Sequence, residues 1–422
     1  MVKIVHTSDW HLGAKLHDRD RGEEQGRFLD WLHQLLEREH PDALLVSGDV
    51  FDVRQPTTAA QSLYYDFIAN AAKEGVCSRI VVTAGNHDSA SMLAAADEVL
   101  KRLGVTVIAR TQVADPTAEV VVLPKADGSV ALGIAAVPYL NDGDLLTLWR
   151  SAQGTPDEGG ESLATRTARL ADGFRAHYAA VLSAARAAAP GVPLVAMGHA
   201  CLSHAQVSDL RSERGRRIGG LDSYDASVFA GVDYVAMGHL HIPQTVGEGN
   251  RICYAGSPLQ MSFAEAEQKK FVNIVTFGER AGDPIEVRQE EVPIFLPLRC
   301  FRGDPKAIKK ALKAALKSMP AENGGDLCAS VQVTEGEGEL SRFWKELDGL
   351  LAGSPITILL KEDGRPKAKA GEGIRRVSRD QSLRAMTPLE IAELRIGEES
   401  HLTEEERATY SRMVSQLIGG VS

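Results

Sequence analysis

Five short segments of this chain carry carboxylate, amide and imidazole side chains at spacings that suit divalent cations. They are Asp9-Trp10-His11, Gly48-Asp49-Val50-Phe51-Asp52, Gly85-Asn86-His87-Asp88, Gly198-His199 and Gly238-His239-Leu240-His241. In an extended segment residues i and i+2 project to the same side, so Asp9 and His11 can meet one cation. Mixed oxygen and nitrogen ligation suits Mn²⁺, Fe²⁺ or Zn²⁺. Singly, each segment has an ordinary explanation. Asp-x-His is common, Gly-Asp-x-x-Asp can be an Asx-capped turn, and Gly-His can simply end a strand. Alternating histidines can decorate a surface, whereas Asn-His-Asp has no evident turn logic. The joint occurrence of all five, each after a strand-like run, is what separates the set from chance. Such a ligand set implies a two-metal phosphoesterase.

The elements that must present these residues follow from periodicity. Strand patterns at 3–7, 43–47 and 79–83 alternate with helical stretches at 23–39 and 58–73. Phe28, Leu32, Leu35 and Leu36 recur at helical spacing in the first helix. This βαβαβ order predicts a parallel sheet with crossover helices. Further strands are expected at 105–108, 119–123 and 131–137, the last two joined by an Asp127-Gly128 hairpin. The polar segment 141–165 reads as a surface loop with a little helix, and an Ala-rich helix spans 167–189. Buried strands at 194–197 and 234–237 each run into the same five residues, Val-Ala-Met-Gly-His. All five motifs thus sit at strand C-termini, where α/β sheets bind ligands. The glycines are expected to let the chain turn sharply there.

A second unit starts near residue 280, read as strand (285–291), helix (305–317), strand (327–333), helix (340–351), strand (356–360). The domain reading is therefore 1–278 for the main domain, 279–362 for a small α+β domain, 363–386 for a basic linker and 387–422 for a helical tail. Thr387-Pro388-Leu389-Glu390 has capping-box character, and Tyr410, Met413, Val414, Leu417 and Ile418 form one apolar stripe.

The bulk properties limit the alternatives. The 422 residues exceed one ordinary core. The net charge of −10 is unlike that of an autonomous DNA-binding protein, which is usually basic. Any nucleic-acid contact must be a local patch or come from a partner. Five scattered cysteines without a CxxC pair fit a reducing compartment. No signal-peptide pattern opens the chain and no apolar run reaches the ~18 residues that span a bilayer. A cytoplasmic protein without membrane association is expected.

The ordered motifs resemble those of the calcineurin-like metallophosphoesterase superfamily. Within it the chain resembles the SbcD family, the nuclease subunit of the bacterial SbcCD complex. The narrowing segments are Ser8-Asp9-Trp10-His11-Leu12-Gly13, Gly48–Asp52, Gly238-His239-Leu240-His241-Ile242-Pro243-Gln244, Tyr254-Ala255-Gly256-Ser257-Pro258-Leu259 and Leu402-Thr403-Glu404-Glu405-Glu406-Arg407. The resemblance is strong over 1–275 and weak over 280–385. It implies an α/β fold, a four-layer sandwich of two mixed β-sheets flanked by helices, with a small α+β capping domain and a C-terminal helical tail.

It also implies site roles. One metal would be held by Asp9, His11, Asp49 and His241, the other by Asp49, Asn86, His199 and His239, with Asp49 as the bridge. His87 would stabilise the transition state or protonate the leaving group, with Asp52 orienting it. Asp52 can also be read as a plain turn residue. Asp88 would support or cap the site and Trp10 would pack beneath it. His6, His17, His33 and His40 read as structural or surface residues, and His204 as a weak metal candidate. The implied cofactors are two divalent ions, Mn²⁺ first and Mg²⁺ second.

The implied activity is cleavage of DNA phosphodiesters, as a 3′→5′ double-strand exonuclease and a single-strand or hairpin endonuclease in repair, recombination and replication. No P-loop is present, so ATP would be used by an SbcC-like coiled-coil ATPase, with the tail docking it and the chain homodimerising within a heterotetramer. Alternatively, the tail folds back on its own domain. Arg211, Arg214, Arg216 and Arg217 could grip phosphates or form a solvated loop diluted by Asp209, Glu213 and Asp222. The competing readings are a metallophosphatase or cyclic-nucleotide phosphodiesterase of the same superfamily, and a non-catalytic scaffold. Protein phosphatases carry a GDxVDRG second motif, whereas Val53-Arg54-Gln55 follows Asp52 here. Scaffolds lose ligands, and none is missing.

Overall fold

The computed structural model describes residues 1–365 except 74, 126, 154–162, 207–222, 248, 250, 319–325 and 337–338. The Arg-rich loop, nearly all of the 363–386 linker and the 387–422 tail lie outside the described residues. β1 (Val2–Thr7) leads into a small hairpin, β2 (Lys15–Leu16) and β3 (Arg19–Asp20). Next come α1 (Gly22–Glu39), β4 (Ala43–Ser47), α2 (Thr58–Ala71), β5 (Ile80–Thr83), the short helices α3 (Ala90–Leu93) and α4 (Asp97–Arg102), and β6 (Val105–Ile108). β1, β4, β5 and β6 are parallel neighbours, as alternation with helices requires. Every residue of β4 and β5 is buried, consistent with a sheet covered on both faces.

The chain then builds a second sheet. β7 (Val120–Pro124) and β8 (Val130–Ala136) form the expected hairpin. α5 (Asp142–Gln153) and α6 (Leu163–Ala188) follow, then β9 (Leu194–His199), β10 (Tyr234–Gly238), β11 (Gln244–Val246) and β12 (Ile252–Tyr254). α5 corrects the reading of 141–165 as mostly loop. Its polar surface hides a buried edge, Leu145 and Leu148, packed along α6. Gly173 of α6 makes that approach possible, since a Cβ there would meet the Leu145 carbonyl at 2.1 Å.

β13 (Lys270–Phe277) and β14 (Glu286–Val292) return antiparallel to the edge of the first sheet. The sheet orders are β14-β13-β1-β4-β5-β6 and β11-β12-β10-β9-β8-β7, both mixed. Between them lies one apolar layer that includes Ile4, Leu45, Val81, Ile134, Val195, Met197 and Ala236. α1 and α2 cover the outer face of the first sheet, and α5 and α6 that of the second. This is the expected four-layer sandwich. Trp10 packs beneath the first motif, edge-on to Phe28 and Phe67, with its indole N–H donating to Thr7 Oγ1.

The boundary at 279 shifts. The 285–291 strand belongs to the main sheet, because the polar sequence Glu-Val-Arg-Gln-Glu-Glu-Val suits an exposed edge. The small unit opens instead with β15 (Leu298–Gly303), followed by α7 (Pro305–Ser318), β16 (Leu327–Val333), α8 (Ser341–Leu351) and β17 (Ile356–Asp363). Its three strands are parallel, in the order β15-β16-β17. It has its own core, including Ile308, Leu312, Val331, Phe343 and Leu347. Leu16, Leu296, Leu298 and Cys328 join it to the main domain, beside an Arg19–Asp326 ion pair. All five cysteines are free thiols. No described helix is long and apolar enough to cross a membrane.

Candidate metal centre

Each motif leaves its strand at the C-terminal end, and backbone bonds lace the resulting loops together. The amides of Asp9, His11 and Leu12 donate to the carbonyls of Gly48, Asp49 and Val50 at 2.9–3.0 Å. The buried Asp88 carboxylate accepts from the amides of Val50, Phe51 and Gly85, tying the second and third motifs. That is the supporting role expected of it. Burial and the Asp49 charge raise the Asp88 pKa.

The ligand candidates converge within these loops. Asp49 Oδ2 lies 3.3 Å from His199 Nε2 and 3.7 Å from His11 Nε2. His11 Nε2 and His241 Nε2 face each other at 3.1 Å. Asn86 Oδ1 meets both His199 Nε2 at 3.0 Å and His239 Nδ1 at 2.9 Å. His199 Nδ1 donates to the Ser47 carbonyl, which aims Nε2 into the site. Asp9, His11 and His241 form one cluster with a ligand atom each within 4.8 Å of the others, and Asp9, Asp49 and His199 form a second. Among the described residues His204 joins no such cluster. His6 is buried with Nδ1 against the Tyr234 hydroxyl, a structural place.

Backbone strain concentrates at the same residues. Asp9, His11, Asp49 and His239 all hold positive φ, at 54°, 46°, 51° and 91°. Side chains other than Asn, Asp and His adopt such angles rarely, and strain of this kind gathers at functional sites. The glycines act differently from the sharp-turn expectation. Among the glycines that directly precede the ligand candidates, Gly48, Gly85, Gly198 and Gly238, only Gly48 has positive φ, at 83°. Gly85 and Gly238 are required for close approach. A Cβ would lie 2.1 Å from Asp49 Oδ1 in the first case and 1.9 Å from the Ser47 carbonyl oxygen in the second.

The site fits a pair of cations. Without them, ring protons must stand between nitrogen and oxygen atoms that would otherwise share a metal. Burial disfavours the charged ring of His11, but the carboxylates of Asp52, Asp49 and Asp9 overcome it and raise its pKa to about 9. His199 is raised to about 9 in the same way, burial being outweighed chiefly by Asp49. Burial also raises Asp9, to about 6. A cation that bound here below pH 9 would therefore displace protons from His11 and His199. The apparent affinity for Mn²⁺ should rise from pH 7 to 9, by about tenfold per pH unit for each proton released, and then level off. Calorimetric titration in two buffers of different ionisation enthalpy measures that release, and zero protons at pH 7.5 would contradict this electrostatic account.

His87 and Asp52 sit at the outer, half-buried side. His87 Nδ1 donates to the backbone carbonyl of Asp52 at 2.6 Å, and the His87 amide donates to Asp49 Oδ1 at 2.8 Å. The Asp52 carboxylate faces His11 Nδ1 at 3.4 Å instead. The expected orientation of His87 by Asp52 thus runs through the main chain, while the side chain steadies a ligand candidate. Sequence reading missed a further buried pair, Glu265 and Lys270, behind His241. Only their neighbour Ser257, within the Tyr254–Leu259 motif, carried a signal.

A calcineurin-like phosphoesterase family model matches residues 2–243. The SbcD component of the SbcCD nuclease from Escherichia coli K12 is 30% identical over 393 residues, covering 93% of this chain and 91% of that protein. The component of the same name from Rhodobacter capsulatus is 31% identical over 387 residues, with 89% and 92% covered. That from Bacillus subtilis is 32% identical over 282 residues, with 65% and 66% covered.

Proposed function

This chain belongs to the SbcD family of calcineurin-like phosphoesterases, and from that premise we propose that it hydrolyses DNA phosphodiesters with two divalent cations. The observation that carries the reading is the convergence of imidazole, amide and carboxylate ligands on both sides of Asp49. Asp9, His11, Asp49 and His241 would hold one cation, and Asp49, Asn86, His199 and His239 the other. Bound there, divalent cations would supply a hydroxide at neutral pH and polarise the scissile phosphate. The ligand types admit Mn²⁺ first and Mg²⁺ second.

His87 contributes the proton chemistry. Its Nδ1–H is committed to the Asp52 carbonyl, so Nε2 is the nitrogen that exchanges a proton with substrate. The activity is 3′→5′ exonuclease on duplex ends and endonuclease on single strands and hairpins, in DNA repair, recombination and replication. An SbcC-like ATPase supplies the nucleotide-driven step and much of the DNA grip that a chain of net charge −10 lacks. The small domain positions DNA, the 387–422 tail docks the ATPase, and two copies assemble into a heterotetramer in the cytoplasm.

Purified full-length chain with Mn²⁺, alone and with its ATPase, would be assayed on labelled duplex, hairpin DNA and p-nitrophenyl phosphate esters. Metal-dependent DNA degradation that EDTA abolishes is the expected result. Ester cleavage without DNA degradation, even with the ATPase present, would favour the phosphatase or cyclic-nucleotide phosphodiesterase alternative. Loss of both activities would favour the scaffold.

A further inference from the structure

We propose that Glu265 is a positioning residue of the metal centre, accepting the Nδ1–H of His241 while Lys270 holds its other oxygen. The inference rests on the two-metal reading and deepens it. Lys270 and Glu265 are almost fully buried, with 2% and 1% of their surfaces exposed. Burying an ion pair costs more desolvation than packing an apolar pair of similar size, so stability alone explains it poorly.

The pair's contacts lead to the fifth motif. Lys270 Nζ donates to Glu265 Oε2 at 2.5 Å, to the His241 carbonyl at 3.1 Å and to Ser257 Oγ at 3.1 Å. The Met261 amide also donates to Glu265 Oε2, so that oxygen is fully engaged. The Ser257 amide donates to the same His241 carbonyl at 3.2 Å. Gly256 allows this fit with φ at 77°, since a Cβ would come within 2.7 Å of that carbonyl oxygen.

Glu265 Oε1 is the remaining group. It is buried without a hydrogen-bond partner and lies 3.9 Å from His241 Nδ1. That is too long for a hydrogen bond. His241 Nε2 is meanwhile turned toward His11 Nε2. When Nε2 binds a cation, Nδ1 must carry the proton, and a small rotation of the ring brings that proton to Oε1. A carboxylate in this position fixes the tautomer and strengthens the nitrogen as a ligand. The arrangement explains why Gly256, Ser257, Glu265 and Lys270 accompany the ligands although none of them touches the metal position.

The test is calorimetric titration of metal-free, full-length protein with MnCl₂. It compares the parent, Glu265→Gln, and the charge-neutral double variant Glu265→Leu/Lys270→Met. The parent should bind two equivalents. The double variant should bind one equivalent with parental affinity and the other about 10- to 100-fold more weakly. Its metal-free melting temperature should stay near the parental value, because both buried charges leave together. Parental affinity for both equivalents in the folded double variant would overturn the proposal. Should the double variant fail to fold, ¹⁵N-histidine spectra of the Zn²⁺-loaded parent decide. A protonated, slowly exchanging His241 Nδ1 that broadens in Glu265→Gln supports the proposal, and a metal-bound or unprotonated Nδ1 refutes it. A parent that fails to bind two equivalents would refute the two-metal reading instead.

Discussion

Asp49→Asn should abolish hydrolysis, by about 10³-fold or more, while leaving the chain folded. The estimate follows from the several kcal/mol that metal charge contributes at a phosphoryl transition state, at about 1.36 kcal/mol per tenfold in rate. Asp49 Oδ2 approaches both His11 and His199 at Nε2, at 3.7 Å and 3.3 Å. An amide keeps its volume and can still accept the His87 amide proton at Oδ1, so the loops should stay in place. The other end of that amide becomes an NH₂ group where a bridging anion is needed. Burial opposes the Asp49 charge, but His199, His11 and His87 outweigh it and hold the carboxyl below its usual range. A carboxyl depressed in this way stabilises the metal-free fold above the ordinary Asp pKa of 3.8, and the contribution fades as acid titrates it. The metal-free variant should therefore melt below the parent near neutral pH, and the difference should shrink toward low pH. Calorimetry should find that Mn²⁺ binding has collapsed. Circular dichroism that matches the parent, combined with retained turnover, would remove Asp49 from the bridging position.

The convergence seen around Asp49 was largely legible in the sequence, because each candidate ligand lies at the end of a strand whose buried, apolar run is itself readable. The parallel strands of two mixed sheets deliver their C-terminal ends to one place, so spacing at strand ends became proximity in space. What sequence did not reveal depends on long-range contact. α5 looked like loop because its buried residues are few and their partner, α6, lies further along the chain. The polar β14 resembled the start of a new domain because an exposed edge strand lacks apolar alternation. Glu265 and Lys270 occur in Ala-Glu-Ala-Glu-Gln-Lys-Lys, which reads as solvated surface. They are buried only because β13 carries Lys270 under the His241 loop. The orientation of Asp52 was missed for a related reason. Residue type cannot tell whether a carboxylate or its own main-chain carbonyl will meet a neighbouring ring.

That distinction governs the second large effect. His87→Ala should leave two Mn²⁺ equivalents bound and lower the cleavage rate about 10²- to 10⁴-fold, the usual contribution of a positioned general acid or base. His87 is half-buried at the mouth of the site, and its ring stands edge-on to His11 at 4.9 Å between centroids. The main-chain carbonyl of Asp52 engages Nδ1–H and leaves Nε2 to do the exchange. Asp52→Asn keeps that carbonyl. It should therefore cost much less than His87→Ala, and act mainly through the weakened ion pair with His11. A different geometry is also available, because His11, Asp52 and His87 have ligand atoms within 4.8 Å of one another. If His87 bound a cation in that cluster, His87→Ala would lose one Mn²⁺ equivalent, and Asp52→Asn would weaken the same equivalent. Titrating both variants alongside their rates on labelled duplex separates the cases. Intact stoichiometry with a slow rate in His87→Ala assigns proton transfer to its imidazole, and a missing equivalent moves that ring into the metal shell.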